Sequence, residues 1–267
     1  MNLNAQLARH LKETVGAWPA EPPTNVVNAA LRVMGRWRQL LLLDIYLKRQ
    51  GTLIWSGPFQ GMDYVATATE GALLPRLLGS YESELHPHLL AFAAEGLDCV
   101  IDVGCAEGYY AVGLARLIPQ ITVHAHDIDE AALAACAALA AKNGVGDRVV
   151  IGGEFRPQDF EAFAGQRALV MVDAEGAEVD ILQPELSPAL AGLSLIVETH
   201  DIHRPGALDT LVQRFSPTHD IVRVNQHYAA FQPPPWFSEL PHLDQLLAVW
   251  EWRALPTPWL VMRPKAA

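Results

Sequence analysis

Residues 100–115 read VIDVGCAEGYYAVGLA. An apolar run ends on an acid, a turn of small residues follows, and an apolar helical face begins at once. Such a strand–turn–helix step commits the chain to layers of sheet and helix, because each apolar face needs a partner of the other kind. The step repeats downstream. CVIDVG, ITVHAHD, RVVIGG, ALVMVDAEG and LSLIVETHD are short apolar runs suited to strands. Between the first three lie helical segments at Tyr110–Leu117 and in the alanine-rich EAALAACAALAAKNG. RPQDFEAFAG and the stretch around Val179–Leu190 separate the others. Alternation at this spacing predicts a parallel sheet with helices on both faces. DIVRVNQ and WLVMRPK supply two further strands, for seven in all.

Residues before 98 follow another pattern. The spacing predicts helices over 1–18 and about 25–50, separated by Pro19, Pro22 and Pro23. Residues 52–66 are β-branched, aromatic and glycine-punctuated, and read as a short hairpin or irregular β element. Residues 77–96 read as a loop entering a helix capped by Ser80 or Ser83. The chain thus divides into a helical and β appendage, 1–97, and an α/β domain, 98–267. The appendage would cap a substrate or support a homodimer.

Bulk properties narrow the partners. The net charge of −11 repels phosphate backbones, so nucleic acid is not expected. Cys99, Cys105 and Cys136 lack CxxC spacing and suit reduced thiols. The amino terminus lacks the apolar core of a signal peptide, and Asp44 interrupts the run Leu40–Leu43. A cytoplasmic protein without a membrane segment is the expectation.

In an open α/β sheet, ligands bind beyond the carboxyl ends of the strands. Gly104, Ala106 and Gly108 would let backbone approach a ligand, with Cys105 and Tyr109 in the same turn. Asp102 is badly placed for a pyrophosphate and well placed for an ammonium, and Glu107 adds a second charge. A dinucleotide turn would want glycine at position 109, where Tyr109 stands. Asp127 lies where a carboxylate would hold a ribose diol, Ile128 beside it would flank an adenine, and Glu154 and Phe155 would meet the base edge. Tyr81 and Glu82 would close over the ligand. A cofactor with an amino acid at one end and adenosine at the other satisfies this set: S-adenosylmethionine, leaving as S-adenosylhomocysteine.

The strand tips VIDVGCAEG, VHAHDID and MVDAEGAEVDIL together resemble those of class I S-adenosylmethionine-dependent methyltransferases. The last resembles the D-x-E-G-x-E-x-x-x-L signature of the FkbM type, whose members largely methylate hydroxyl groups of sugars and natural products. The second tip departs from it, with Asp127-Ile128 where members often carry Glu-Pro. The resemblance spans residues 98–200 and implies a Rossmann-like seven-stranded α/β sheet and O-methylation of a small molecule. Asp173 would then stand near the transferred methyl, and His200 would be the general base, since an imidazole titrates near neutrality. Glu175 and Glu178 would serve the site directly or position its loop. Asp173, Glu198, His200 and Asp201 are also candidate ligands for a divalent metal. N-methylation, an NAD-dependent oxidoreductase and a non-catalytic binding protein of the same fold remain the alternatives.

Overall fold

The computed structural model describes residues 2–66, 72–227 and 230–266. Strands β1 (Cys99–Val103), β2 (Thr122–His126), β3 (Val149–Gly152), β4 (Ala168–Val172), β5 (Ser194–Glu198), β6 (His219–Val224) and β7 (Trp259–Pro264) form one sheet in the order β3-β2-β1-β4-β5-β7-β6. All seven strands lie where the apolar runs place them. The sheet is the Rossmann-like α/β layer expected, but it is mixed. β1 to β5 are parallel, and β7 inserts antiparallel between β5 and β6. Every residue of β1 and β4 is buried, which is why both read as continuous apolar runs rather than as alternation.

Successive β1 side chains enter two cores. Val100 packs with Val123, Leu169 and Tyr109 on one face, while Ile101 and Val103 pack with Val170, Leu211 and Phe215 on the other. Helices α5 (Tyr109–Leu117) and α6 (Glu130–Lys142) belong to the first face, and α8 (Ala207–Phe215) to the second. The first core also takes Leu42, Tyr46, Ile54, Phe59 and Phe92 from the segment before β1. Gly113 of α5 admits Phe59, since a Cβ there would lie 2.6 Å from the ring.

Upstream, α1 (Leu3–Gly16) and the 27-residue α2 (Thr24–Gln50) match the prolines' division of the sequence. α2 docks on α9 (His242–Ala248): Arg38 makes two bonds to Asp244, at 2.7 and 2.6 Å, and buried Gln39 donates to Leu247 O and Trp250 O. Residues 52–66 form no regular hairpin. They are the irregular β element: an antiparallel bridge, Leu53 to Asp63, is flanked by Ile54 N–H to Met62 O at 2.9 Å and Tyr64 N–H to Thr52 O at 2.8 Å, and glycines 57 and 61 adopt positive φ where the chain turns back. Short α3 (Leu73–Leu78) was not foreseen. α4 (His86–Ala93) starts without the Ser80 or Ser83 cap: Ser80 donates to Pro75 O, and Ser83 accepts from Ala230 N–H. Asp129 caps α6 by accepting Ala131 N–H at 2.8 Å. Short α7 (Glu178–Ile181) follows β4. Among the described residues, no helix is long and apolar enough to cross a membrane.

Candidate functional site

The parallel register brings the tips of β1, β2, β4 and β5 to one edge. Between β1 and α5 the turn is locked by its backbone. Gly104 and Cys105 N–H groups donate to His126 O at 2.8 and 3.0 Å, and Ala106 N–H donates to Asp127 Oδ2 at 2.9 Å. Asp127 Oδ1 accepts Asp129 N–H, so this carboxylate binds the turn to the β2 tip.

The small residues make room for the protein itself. A Cβ on Gly104, at φ +85°, would lie 1.7 Å from Asp173 O, and one on Gly108 would lie 2.7 Å from Cys136 Sγ. Gly104 therefore admits the β4 loop and Gly108 admits α6, and Gly104 also lines the narrow cavity beside Asp102. Ala106 holds φ +46°, a conformation costly for alanine.

Asp102 is 3% exposed, and its Oδ2 is enclosed without a hydrogen-bond partner. Burial, with a contribution from Asp127, pushes its carboxyl up to about 7. It lines a narrow cavity of about 30 Å³ with Gly104, Cys105, Ala106, Tyr109 and Asp173. A ligand cation is the natural partner for such a group.

Several predicted contacts have other roles. Glu107 touches this cavity, but Arg76 at 2.9 Å and the Tyr64 hydroxyl at 2.5 Å engage its carboxylate. It is the buried end of an internal ion pair rather than a second charge for the ligand. Glu82 is fully buried, pairs with Arg253 and accepts the Tyr110 hydroxyl, so its carboxylate is engaged internally and lines neither cavity. Phe155 is a core residue, its ring 4.8 Å from His126 and 4.7 Å from Phe160, and Glu154 pairs with Arg156 on the surface. Neither lines a cavity described here. Tyr81 lines both cavities, and Ile128, 86% exposed, stands free beside Asp127.

A second cavity, about 490 Å³, opens over the β4 and β5 tips. It shares Arg76, Tyr81 and Asp173 with the first. His200 is its centre. Nδ1 donates to Glu178 Oε1 at 2.7 Å, and fully buried Glu178 also accepts Ala174 and Gly176 N–H at 3.2 and 3.1 Å. Gly176, at φ +108°, turns the β4 loop back toward these bonds. Nε2 faces Asp173 Oδ1 at 3.7 Å, Glu175 Oε2 at 3.5 Å and Glu198 Oε2 at 3.7 Å.

The electrostatics follow. Burial, reinforced by Glu198, Glu82 and Glu175, drives the Asp173 carboxyl well above its usual range. Burial alone would lower His200, but the Glu178 bond and the surrounding carboxylates carry it above its ordinary value. Burial would raise Glu178, but the bond from His200 and the Gly176 N–H hold it below the usual carboxylate value. Asp201 is not part of this cluster: its carboxylate accepts Gly206 N–H at 2.9 Å and Leu208 N–H at 3.3 Å, capping α8.

The segment before β7 completes the wall with Glu251, Trp252, Arg253 and Thr257. Arg253 forms ion pairs with Glu82, Glu198 and Glu251. Arg32 donates to Trp252 O and Arg253 O, and Arg36 lies 4.9 Å over the Trp252 ring. These residues carry no local motif. Only an acid and a base flanking one tryptophan marked them.

No family model matches the chain. It is 33% identical over 116 residues to the release factor glutamine methyltransferase of Synechocystis, covering 41% of this chain and 38% of that protein. It is 32% identical over 133 residues to the ribosomal protein L11 methyltransferase of Methylococcus capsulatus, covering 47% and 44%. The chain thus spans about two-fifths of the length of these curated relatives. Among solved structures it is similar to the O-methyltransferase TomG of Streptomyces achromogenes in complex with SAM, at 14% identity, TM-score 0.44, and coverage of 68% and 81%. It is likewise similar to an O-methyltransferase of Bacillus cereus in complex with SAH, at 11% identity, TM-score 0.46, and coverage of 69% and 80%.

Proposed function

We propose that this chain is an S-adenosylmethionine-dependent methyltransferase of the FkbM type, acting on a hydroxyl oxygen of a small molecule. The observation that carries this reading is the enclosed, unpartnered Asp102 oxygen beside a larger cavity centred on His200. Asp102 fits the ammonium of an amino-acid tail, and the Gly104, Cys105 and Ala106 N–H groups are already bonded to His126 O and Asp127 rather than open to a pyrophosphate. Asp127 receives the ribose and Ile128 flanks the base. When bound, the cofactor supplies a methyl group on a sulfonium, already activated for transfer.

The chain's part is then mostly positioning. Asp173 stands between the two cavities and orients the acceptor toward the first. Asp173, Glu175 and His200 surround the acceptor hydroxyl, and this cluster promotes loss of its proton. Glu178 holds the imidazole so that Nε2, not Nδ1, faces the acceptor. A volume of about 490 Å³ suits a small molecule. The names of the two curated relatives favour a second reading, a nitrogen acceptor on a protein.

The test is calorimetric titration with S-adenosylhomocysteine and with NAD, followed by transfer of labelled methyl to hydroxylated small molecules. Micromolar binding of the former and none of NAD is expected. His200→Ala is expected to lower turnover 10²- to 10⁴-fold, within the usual range for losing a proton-transfer group, with cofactor affinity nearly unchanged. Wild-type turnover in that variant removes the cluster from the mechanism.

A further inference from the structure

We propose that Asp173, Glu175 and His200 form a binding site for a divalent first-row transition cation of the Mn²⁺ kind. The inference rests on the reading of the larger cavity as the acceptor site, and states how the cluster acts there.

The distances argue first. One ligand atom from each residue lies within 4.8 Å of the others. His200 Nε2 stands 3.7 Å from Asp173 Oδ1 and 3.5 Å from Glu175 Oε2. These contacts are long for hydrogen bonds. They are close to the roughly 3.0–3.4 Å edges of a coordination shell with bonds of about 2.1 Å. A small closure of the exposed Glu175 side chain would complete the shell.

His200 supplies an independent second observation. Its ring is 4% exposed, and Nε2 has no hydrogen-bond partner. Nδ1 is committed to Glu178, which leaves the Nε2 lone pair on the cavity side in the neutral ring. A carboxylate behind an imidazole, fixing its tautomer, is the usual outer support of a histidine ligand. Asp173 Oδ1, the atom facing Nε2, is also enclosed without a partner.

Of the neighbouring acids, Arg253 engages one and a helix end the other. Glu198 gives Oε1 to Arg253 and Thr257 while its Oε2 stays 3.7 Å from His200 Nε2 at the edge of the site, and Asp201 caps α8. Two carboxylates and one imidazole favour Mn²⁺, Fe²⁺, Co²⁺ or Zn²⁺ over the oxygen-seeking Mg²⁺ and Ca²⁺. Three protein ligands leave positions for acceptor oxygens. Lewis-acid polarisation would lower the pKa of a hydroxyl placed there.

The experiment is Mn²⁺ binding to the full chain, followed by electron paramagnetic resonance and calorimetry, with S-adenosylhomocysteine titrated in parallel. We expect one Mn²⁺ per chain, at least tenfold weaker binding in Glu175→Gln and His200→Gln, and 10- to 100-fold weaker binding in Glu178→Gln. Glu154→Gln, on the surface, should bind as the wild type does. Glu175 is exposed, so its variant is expected to fold, with retained S-adenosylhomocysteine binding as the check. If S-adenosylhomocysteine binds and stoichiometric Mn²⁺ does not, or if Mn²⁺ binds equally to Glu175→Gln, the cation site is overturned while the methyl-transfer reading stands. If Mn²⁺ binds through these residues and S-adenosylhomocysteine does not, the site stands and the methyl-transfer reading falls.

Discussion

Asp102 shows how a side chain proposed to bind the cofactor weighs on stability. Its carboxyl titrates at about 7 in the folded chain against 3.8 for an ordinary aspartate, chiefly because it is buried. A folded value above the unfolded one means that the group's contribution to stability is fully present below about pH 4 and is lost as pH rises through 7. At pH 8 the ligand-free protein carries the whole penalty, on the order of 2–4 kcal/mol. Asp102→Asn is therefore expected to raise the melting temperature at pH 8 and change it little at pH 4, while weakening S-adenosylhomocysteine binding at least tenfold. Wild-type affinity should fall as pH drops below about 7, because the proton and the ligand's ammonium compete for one carboxylate. An affinity flat from pH 5 to 8 would remove Asp102 from the proposed ammonium site.

At the level of elements, the turn after β1 acts as a joint between two strands and a helix. Gly104 lies so close to Asp173 O that any Cβ must push β1 from β4, and its φ of +85° adds strain for any L side chain. Gly108, at φ +95°, is strained for an L side chain too, but a Cβ there meets only side chains, Cys136 Sγ at 2.7 Å and Val112 Cγ2 at 3.2 Å, which yield more readily than backbone. Gly104→Ala is expected to cost upwards of about 3 kcal/mol in urea unfolding and to abolish cofactor binding, with Gly108→Ala costing clearly less. Equal costs would mean that the turn yields as one piece.

Across the whole molecule, Arg253 ties the segment before β7 to the loop after α3 and to the end of β5. Three buried glutamates share this one guanidinium. Glu82 sits at about 8 even so, since burial and the like charges of Glu198 and Glu251 outweigh Arg253. Arg253→Met would leave those acids uncompensated, at a cost of about 3–5 kcal/mol near pH 8. The cost should shrink toward pH 5, where Glu82 is protonated, and adding Glu82→Gln should recover part of it. Chemical denaturation of the three proteins at both pH values measures this. A pH-independent loss would assign Arg253 a packing role instead.

The sequence by itself determined the strands, because seven apolar runs of the right length have no other way to be buried, and β1, β4 and β5 are buried along nearly their whole length. It also marked Asp102, Asp173, Glu175, Glu178 and His200, whose motifs are local and whose strand tips a parallel sheet must bring to one edge. Only the tertiary structure decided what those residues do. Glu107 and Glu82 have the composition of ligand residues, yet Arg76 and Arg253 claim them, and Arg253 reaches Glu82 across 171 positions of chain. Phe155 follows a strand tip but faces the core. The antiparallel insertion of β7 was illegible because direction in a sheet depends on how the intervening chain packs, and apolar spacing reads the same both ways. Glu178 gained its role as the anchor of His200 only when the β4 loop folded back on itself. Sequence patterns record which groups must leave water, whereas the pairing of buried charges depends on contacts between distant segments.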